Sequence, residues 1–131
     1  MKLVLATQNP KKLKEMNEIL SHLGVEVVSE AELGVRIEVE ETGETFTDNA
    51  RLKATAVMQA TGLPAVADDS GLCVDALNGG PGVYSARFGG EGLDDKGRYT
   101  LLLEMLRGQT DRAAHFHTSI VCAFPTGDEL V

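Results

Sequence analysis

The sequence predicts an α/β fold, a single domain over residues 1–131 with a central mixed, twisted β-sheet flanked by helices and a ligand cleft where loops gather at strand ends. Three observations predict it. Short apolar runs of strand length alternate with segments whose apolar residues recur every three or four positions. The chain opens on strand, loop and helix, with Lys2 to Ala6 followed by Thr7-Gln8-Asn9-Pro10-Lys11-Lys12. A further apolar segment, Leu63-Pro64-Ala65-Val66, runs into adjacent carboxylates at Asp68 and Asp69 and then into the turn residues Ser70 and Gly71.

In the opening unit Asn9 suits an N-cap and Pro10 the first helical position, so free backbone N–H groups and the positive dipole end point at whatever occupies the loop. Such an end binds phosphate readily. Lys11 and Lys12 fall in the first turn, where they oppose the helix dipole, and a ligand anion would compensate them. Ordinary surface lysines on an amphipathic helix fit the same pattern. No G-x-x-x-x-G-K-[ST] occurs, which excludes a P-loop. Leu13, Met16, Leu20 and Leu23 form the apolar stripe, Gly24 stops the helix, and the strand Val25 to Ser29 completes a β-α-β unit.

Glu40 and Glu41 end an acidic stretch that begins at Glu38 and precede the Thr42-Gly43 turn. Their oxygens suit Mg²⁺, and a solvated acidic loop uses the same residues. A second helix starts near Thr45 or Thr47, where Thr45 and Asp48 resemble a capping box, and its stripe of Ala50, Ala54, Val57 and Thr61 permits close packing before Gly62. Asn49 and Lys53, four apart, share a face of this helix. With Lys12 they could ring a triphosphate; an exposed polar face is the plainer alternative.

Strand alternation puts Asp69 on the side of Ala65 and Ala67, and Asp68 on the side of Val66. One carboxylate can then face a cleft while its neighbour braces the turn. A carboxylate at a strand end can hold Mg²⁺ and orient or deprotonate a water, although an Asx-type hairpin turn uses the same residues. Ser70 could offer its hydroxyl and N–H to a phosphate, or cap that turn.

The Gly-rich loop Asn78 to Gly92 contains Tyr84 and Arg87 and suits a segment that closes near a ligand or a partner, with phosphate contact and dimer contact both open. A helix from about Asp94 turns Tyr99, Leu102, Leu103 and Leu106 inward and ends at Gly108. Arg112 to Phe124 reads as a long strand on which His115 and His117 share one face. No third soft ligand is near them, and a surface or interface role fits better than a metal. Pro125 to Asp128 is a turn, and Glu129-Leu130-Val131 a returning strand. A hairpin ending three residues after its turn leads us to expect the N-terminal portion of a longer protein.

A formal net charge of −8 argues against a nucleic-acid duplex, whose affinity rests on neutralised phosphates. A small phosphorylated ligand needs only a local basic cluster. Cys73 and Cys122 stand apart in apolar surroundings, and no signal or long apolar run appears, so a reducing cytoplasm is expected.

The chain resembles the inosine triphosphate pyrophosphatase family. The resemblance rests on Ala6-Thr7-Gln8-Asn9-Pro10-Lys11-Lys12, Glu40-Glu41-Thr42-Gly43, Phe46-Thr47-Asp48-Asn49-Ala50, Leu52-Lys53-Ala54, Ala67-Asp68-Asp69-Ser70-Gly71-Leu72 and Pro81 to Arg87, in the family's order and spacing. Gln8 departs from it, since many members have Gly there. The family's Phe-Gly-Tyr-Asp-like and Ser-His-Arg-like segments, which hold the purine, do not occur here. The resemblance implies Mg²⁺-dependent hydrolysis of non-standard purine nucleoside triphosphates (ITP, dITP, XTP) to the monophosphate and pyrophosphate. Asp69 would be the catalytic carboxylate, with Thr7, Gln8, Asn9, Pro10, Lys11, Lys12, Lys53 and Ser70 on the substrate. Asp69 and one of the Glu40–Glu41 pair, by preference Glu40, would hold the metal. Expected partners are the purine nucleoside triphosphate and a second copy of the chain in a homodimer, with neither nucleic acid nor membrane. A non-catalytic nucleotide-binding module and a Maf-type nucleotide pyrophosphatase are the alternatives.

Overall fold

Apolar residues at two periodicities lay down the elements. The computed structural model describes residues 1–7, 10–90 and 92–131, and the side chains of all of these except Ala86 and Arg87. Among them are β1 (Lys2–Leu5), α1 (Pro10–Leu20), β2 (Glu26–Ser29), α2 (Phe46–Thr61), β3 (Ala65–Val74), β4 (Gly80–Pro81), α3 (Asp95–Met105), β5 (Ala114–Ala123) and β6 (Glu129–Leu130). The strands form one mixed sheet in the order β2-β1-β3-β5-β6, with β4 paired to β3. β1 runs parallel to β2 and β3, while β4 and β6 run antiparallel to β3 and β5. The expected mixed sheet with flanking helices is what forms. Two compact units can be told apart, Met1–Asp69 with Ser119–Val131, and Ser70–Thr118. The chain passes from one to the other inside β3 and β5, so no linker composition marks the boundary.

In the first unit the sheet is covered on both faces. Leu3, Leu5, Val27 and Val66 pack against Leu13, Met16 and Leu20 of α1. Their strand neighbours Val4, Val28 and Ala65 point the other way, to Val57 of α2, and Ala67, Val121 and Ala123 meet Ala50 and Ala54 there. Where α2 meets β3, Ala50 and Ala54 pack against Ala67, which brings the helix backbone close to the strand. Thr45 caps this helix by accepting the Asp48 N–H at 3.1 Å, and Gly62 ends it at φ 70° with its N–H on Met58 O. The Thr45 half of the expected capping box, the stripe and the stop are therefore present.

Three expectations need correction. Leu23 is exposed, because α1 tightens into a 3-10 turn over Ser21–Leu23 before Gly24, and three residues per turn carry Leu23 off the apolar stripe. Tyr99 and Leu103 are also exposed. Leu102 and Leu106 turn inward as expected, with Gly97, Arg98 and Leu101 beside them, so the covered face of α3 lies away from Tyr99 and Leu103. Finally, no hairpin turns at Asp68-Asp69. β3 continues to Val74 and takes β4 as a partner at Cys73 and Val74. The strand end that opens at these carboxylates belongs to β1, whose pairing stops at Leu5 opposite Val66. No helix among the described residues is long and apolar enough to cross a membrane.

Because Ala54 is fully buried between α2 and the sheet, Ala54→Leu is expected to destabilise the protein by roughly 1–3 kcal/mol through overpacking. Urea unfolding measures this; a variant as stable as the parent would contradict the close approach.

Candidate active site

The side chains that could carry chemistry converge where β1 ends, and all of those described next belong to the first unit. Alternation along β3 decides the partners of the two aspartates. Ala65 and Ala67 face α2, so Asp69 does too, and Val66 faces α1, so Asp68 does. Asp68 Oδ2 lies 2.7 Å from Lys12 Nζ in the first turn of α1. Rather than bracing a turn, Asp68 holds the helix lysine. On the other face Lys53 Nζ, from α2, donates to the Asp68 carbonyl oxygen at 2.6 Å. It also stands 3.5 Å from Glu41 Oε1 and 3.9 Å from Asp69 Oδ1.

Asp69 is 9% exposed and its Oδ2 is buried with no hydrogen-bond partner. Burial pushes its carboxyl above the ordinary aspartate value; the Lys53 ammonium pulls it back, Glu41 adds to the rise, and the Asn49 amide favours the charged form. The balance is upward.

Of the two glutamates, the structure brings Glu41 beside Lys53, while Glu40 is exposed. Asn49 does not stand in a ring around a ligand. It is completely buried, and its Oδ1 accepts the Gly43 N–H at 2.8 Å, tying the acidic loop to α2. Gly43 is fitted to that contact, since a Cβ there would come within 2.6 Å of Asp48 Cβ and 2.7 Å of Asn49 Oδ1. Thr7, Pro10, Leu13, Ser29, Glu30 and Arg36 help line a cavity of about 420 Å³ beyond the ends of β1 and β2. Pro10 and Lys11 are exposed at the start of α1. Gln8 and Asn9, expected on the substrate, and the Arg87 side chain lie outside the described residues. Ser70, also expected there, is exposed and begins the second unit.

Among the described residues no group of three or more His, Cys, Asp or Glu is gathered as a complete metal cage. Glu41 and Asp69 nonetheless fit a hard cation: the donors are all oxygen, they already surround one ammonium, and one buried carboxylate oxygen is unused. Mg²⁺ takes one or two carboxylates and leaves its other positions to water and phosphate.

The model of the Ham1 family matches residues 3–131. The chain belongs to the Ham1 family. It is 47% identical over 127 residues to the dITP/XTP pyrophosphatase of Leptospira interrogans, covering 97% of this chain and 62% of that protein. It is 54% identical over 129 residues to the dITP/XTP pyrophosphatase of Desulforamulus reducens, covering 97% and 64%. The chain thus spans somewhat less than two thirds of these relatives' lengths. Among solved structures, a HAM1 protein from Coxiella burnetii matches with a TM-score of 0.93 at 42% identity, over 99% of this chain and 68% of that one. The nucleoside-triphosphatase / dITP/XTP pyrophosphatase of Mycobacterium abscessus matches with 0.88 at 45% identity, over 99% and 69%. The family resemblance read from the six motifs holds.

The raised carboxyl of Asp69 has a consequence for this family member's stability. A folded-state value above the unfolded one contributes stability that is complete below the ordinary carboxylate range, about 3.9, and is lost as pH rises through the folded value. At pH 7 the ionised side chain therefore opposes folding. Asp69→Asn is expected to raise the urea midpoint at pH 7, and the gain should shrink on going to pH 4. Equal midpoints at pH 7 would contradict the burial argument.

Proposed function

We propose that this chain hydrolyses non-standard purine nucleoside triphosphates, ITP, dITP and XTP, to the nucleoside monophosphate and pyrophosphate in a Mg²⁺-dependent reaction. The observation that carries the reading is the buried Asp69 carboxylate, one oxygen unused, beside the Lys53 ammonium. The names of the relatives support dITP and XTP as substrates. The resemblance of the motifs supports ITP and the metal.

The chemistry follows from what each side chain can exchange. Lys12 and Lys53 are paired with Asp68 and Glu41, and a triphosphate offers each of them a more highly charged oxygen. The first turn of α1 carries no acidic residue, so its N–H groups and its lysines meet an incoming phosphate without competition from that turn. Glu41 and Asp69 would hold Mg²⁺, which would supply charge neutralisation for the triphosphate. Asp69 orients the attacking water and takes its proton. The water oxygen bonds to the α-phosphorus, the bond from that phosphorus to the bridging oxygen breaks, and pyrophosphate leaves with the electron pair. An upward-shifted carboxyl suits this task better than an ordinary one, because proton acceptance improves as the base strengthens. A covalent route is less well supported: Ser70 and Gly71 follow Asp69, and neither supplies the second aspartate that a nucleophilic aspartate uses as acid and base.

Pyrophosphate release from ITP, dITP, XTP and ATP, with and without Mg²⁺, tests the reading. Release from the first three that requires the metal is expected, and Asp69→Asn should lower turnover by at least about 100-fold, the usual worth of a general base. Asp68→Asn should lose less. Lys12→Ala and Lys53→Ala should each weaken triphosphate binding far more than nucleoside binding, because they meet charge. No release, or release indifferent to Asp69→Asn, would overturn the assignment, and unchanged discrimination between triphosphate and nucleoside would remove the lysines from the site.

A further inference from the structure

Asn49 is the one polar side chain on the buried face of α2, where its companions are Ala50, Ala54 and Val57. A fully buried amide is expensive unless both of its ends are used. Its oxygen is used, on the Gly43 N–H at 2.8 Å. Its nitrogen is buried without a hydrogen-bond partner, and so is Asp69 Oδ2. An unused donor and an unused acceptor are therefore both buried, and the amide lies near enough to Asp69 to favour its ionised form. One helical turn further along the same face, Lys53 reaches the same two segments, Glu41 on the loop and Asp69 on β3. Asn49, bonded to the loop and placed near Asp69, is thus one candidate rung between the acidic loop and the strand, and Lys53 is the second. Only the second carries charge that a ligand can draw away.

We propose that Asn49 is the positioning residue of this site: its oxygen fixes the loop that carries Glu41 and its nitrogen fixes Asp69, so that one rigid amide sets the spacing of two carboxylates from distant segments. This rests on the functional reading above only for its effect on turnover. The loop half explains why residue 43 is glycine, since a side chain there would displace the Asn49 oxygen. The strand half explains why a polar residue is kept in an otherwise apolar stripe. Because neither end of the amide faces solvent, a bound triphosphate would not displace it, and the spacing would persist while the lysines change partners.

Two variants separate the halves. Asn49→Asp keeps an oxygen for the Gly43 N–H and replaces the nitrogen facing Asp69 with a second carboxylate oxygen, whereas Asn49→Ala removes both. Two readouts use the metal-free chain without turnover: hydrogen exchange at the Gly43 amide, and the ¹³C carboxyl resonance of Asp69 by NMR. The expected result is at least tenfold faster Gly43 exchange in Asn49→Ala but not in Asn49→Asp, with the Asp69 resonance displaced in both. In the pyrophosphate assay both variants should lose at least tenfold in kcat while KM stays within about threefold, since misplacement of a reacting group lowers rate more than binding. Unchanged Gly43 exchange in Asn49→Ala, or an unmoved Asp69 resonance in Asn49→Asp, would overturn the proposal. So would parental kcat in either variant. Should Asn49→Ala not fold, the resonance and kcat of Asn49→Asp decide alone. If the parent chain releases no pyrophosphate, the functional reading fails, and exchange and resonance still decide whether Asn49 fixes the two carboxylates.

Discussion

One ammonium group, that of Lys53, meets the Asp68 carbonyl, the Asp69 carboxylate and the Glu41 carboxylate, and the rest of the first unit is arranged so that it can. To donate to a main-chain oxygen of β3 at 2.6 Å, the helix bearing Lys53 must lie close to that strand. Ala50 and Ala54 on α2 against Ala67 on β3 permit that approach, and larger residues would hold the helix off. The acidic loop must come in as well, and Gly43 admits it against the start of α2. The small side chains of this core are thus as much a condition of the site as the charged ones are.

Pairing within the protein also sets what a ligand must do. The chain carries a formal charge of −8, yet Lys12 and Lys53 stand together on the two sides of one strand, each held by a carboxylate of its own. Isolated lysines on so acidic a surface would attract any anion weakly. Paired ones suit the proposed triphosphate, whose closely spaced charges would displace both partners at once. The buried Asp69 belongs to the same balance: it opposes folding at neutral pH and gains basicity from the same burial, the kind of local instability that functional sites retain.

Much of this was legible in the sequence because it depends on periodicity. Three- and four-residue spacing gave α1 and α2, and period-two alternation assigned Asp68 and Asp69 to opposite faces. The Thr45 cap and the Gly62 stop needed only local chemistry. What escaped depended on tertiary partners. β3 continues past Asp69 with β5 and β4 as partners, which no local signal announces, and the turn residues Ser70 and Gly71 pointed the other way. Tyr99 and Leu103 look inward by composition, but the face α3 buries is set by what it packs on. Glu40 and Glu41 are adjacent and chemically alike, so only the docking of the loop through Gly43 and Asn49 distinguishes them. A signal for Asn49 did exist: a lone amide in a stripe of small apolar residues, six positions after a glycine.

The central claim is that Asp69 acts on a water rather than attacking phosphorus itself, and the origin of the transferred oxygen tests it most directly. With enzyme in excess and a single turnover in ¹⁸O-water, the account predicts ¹⁸O in the nucleoside monophosphate and none in the pyrophosphate. Label in the pyrophosphate, or an unlabelled monophosphate whose new oxygen came from the Asp69 carboxylate, would contradict it.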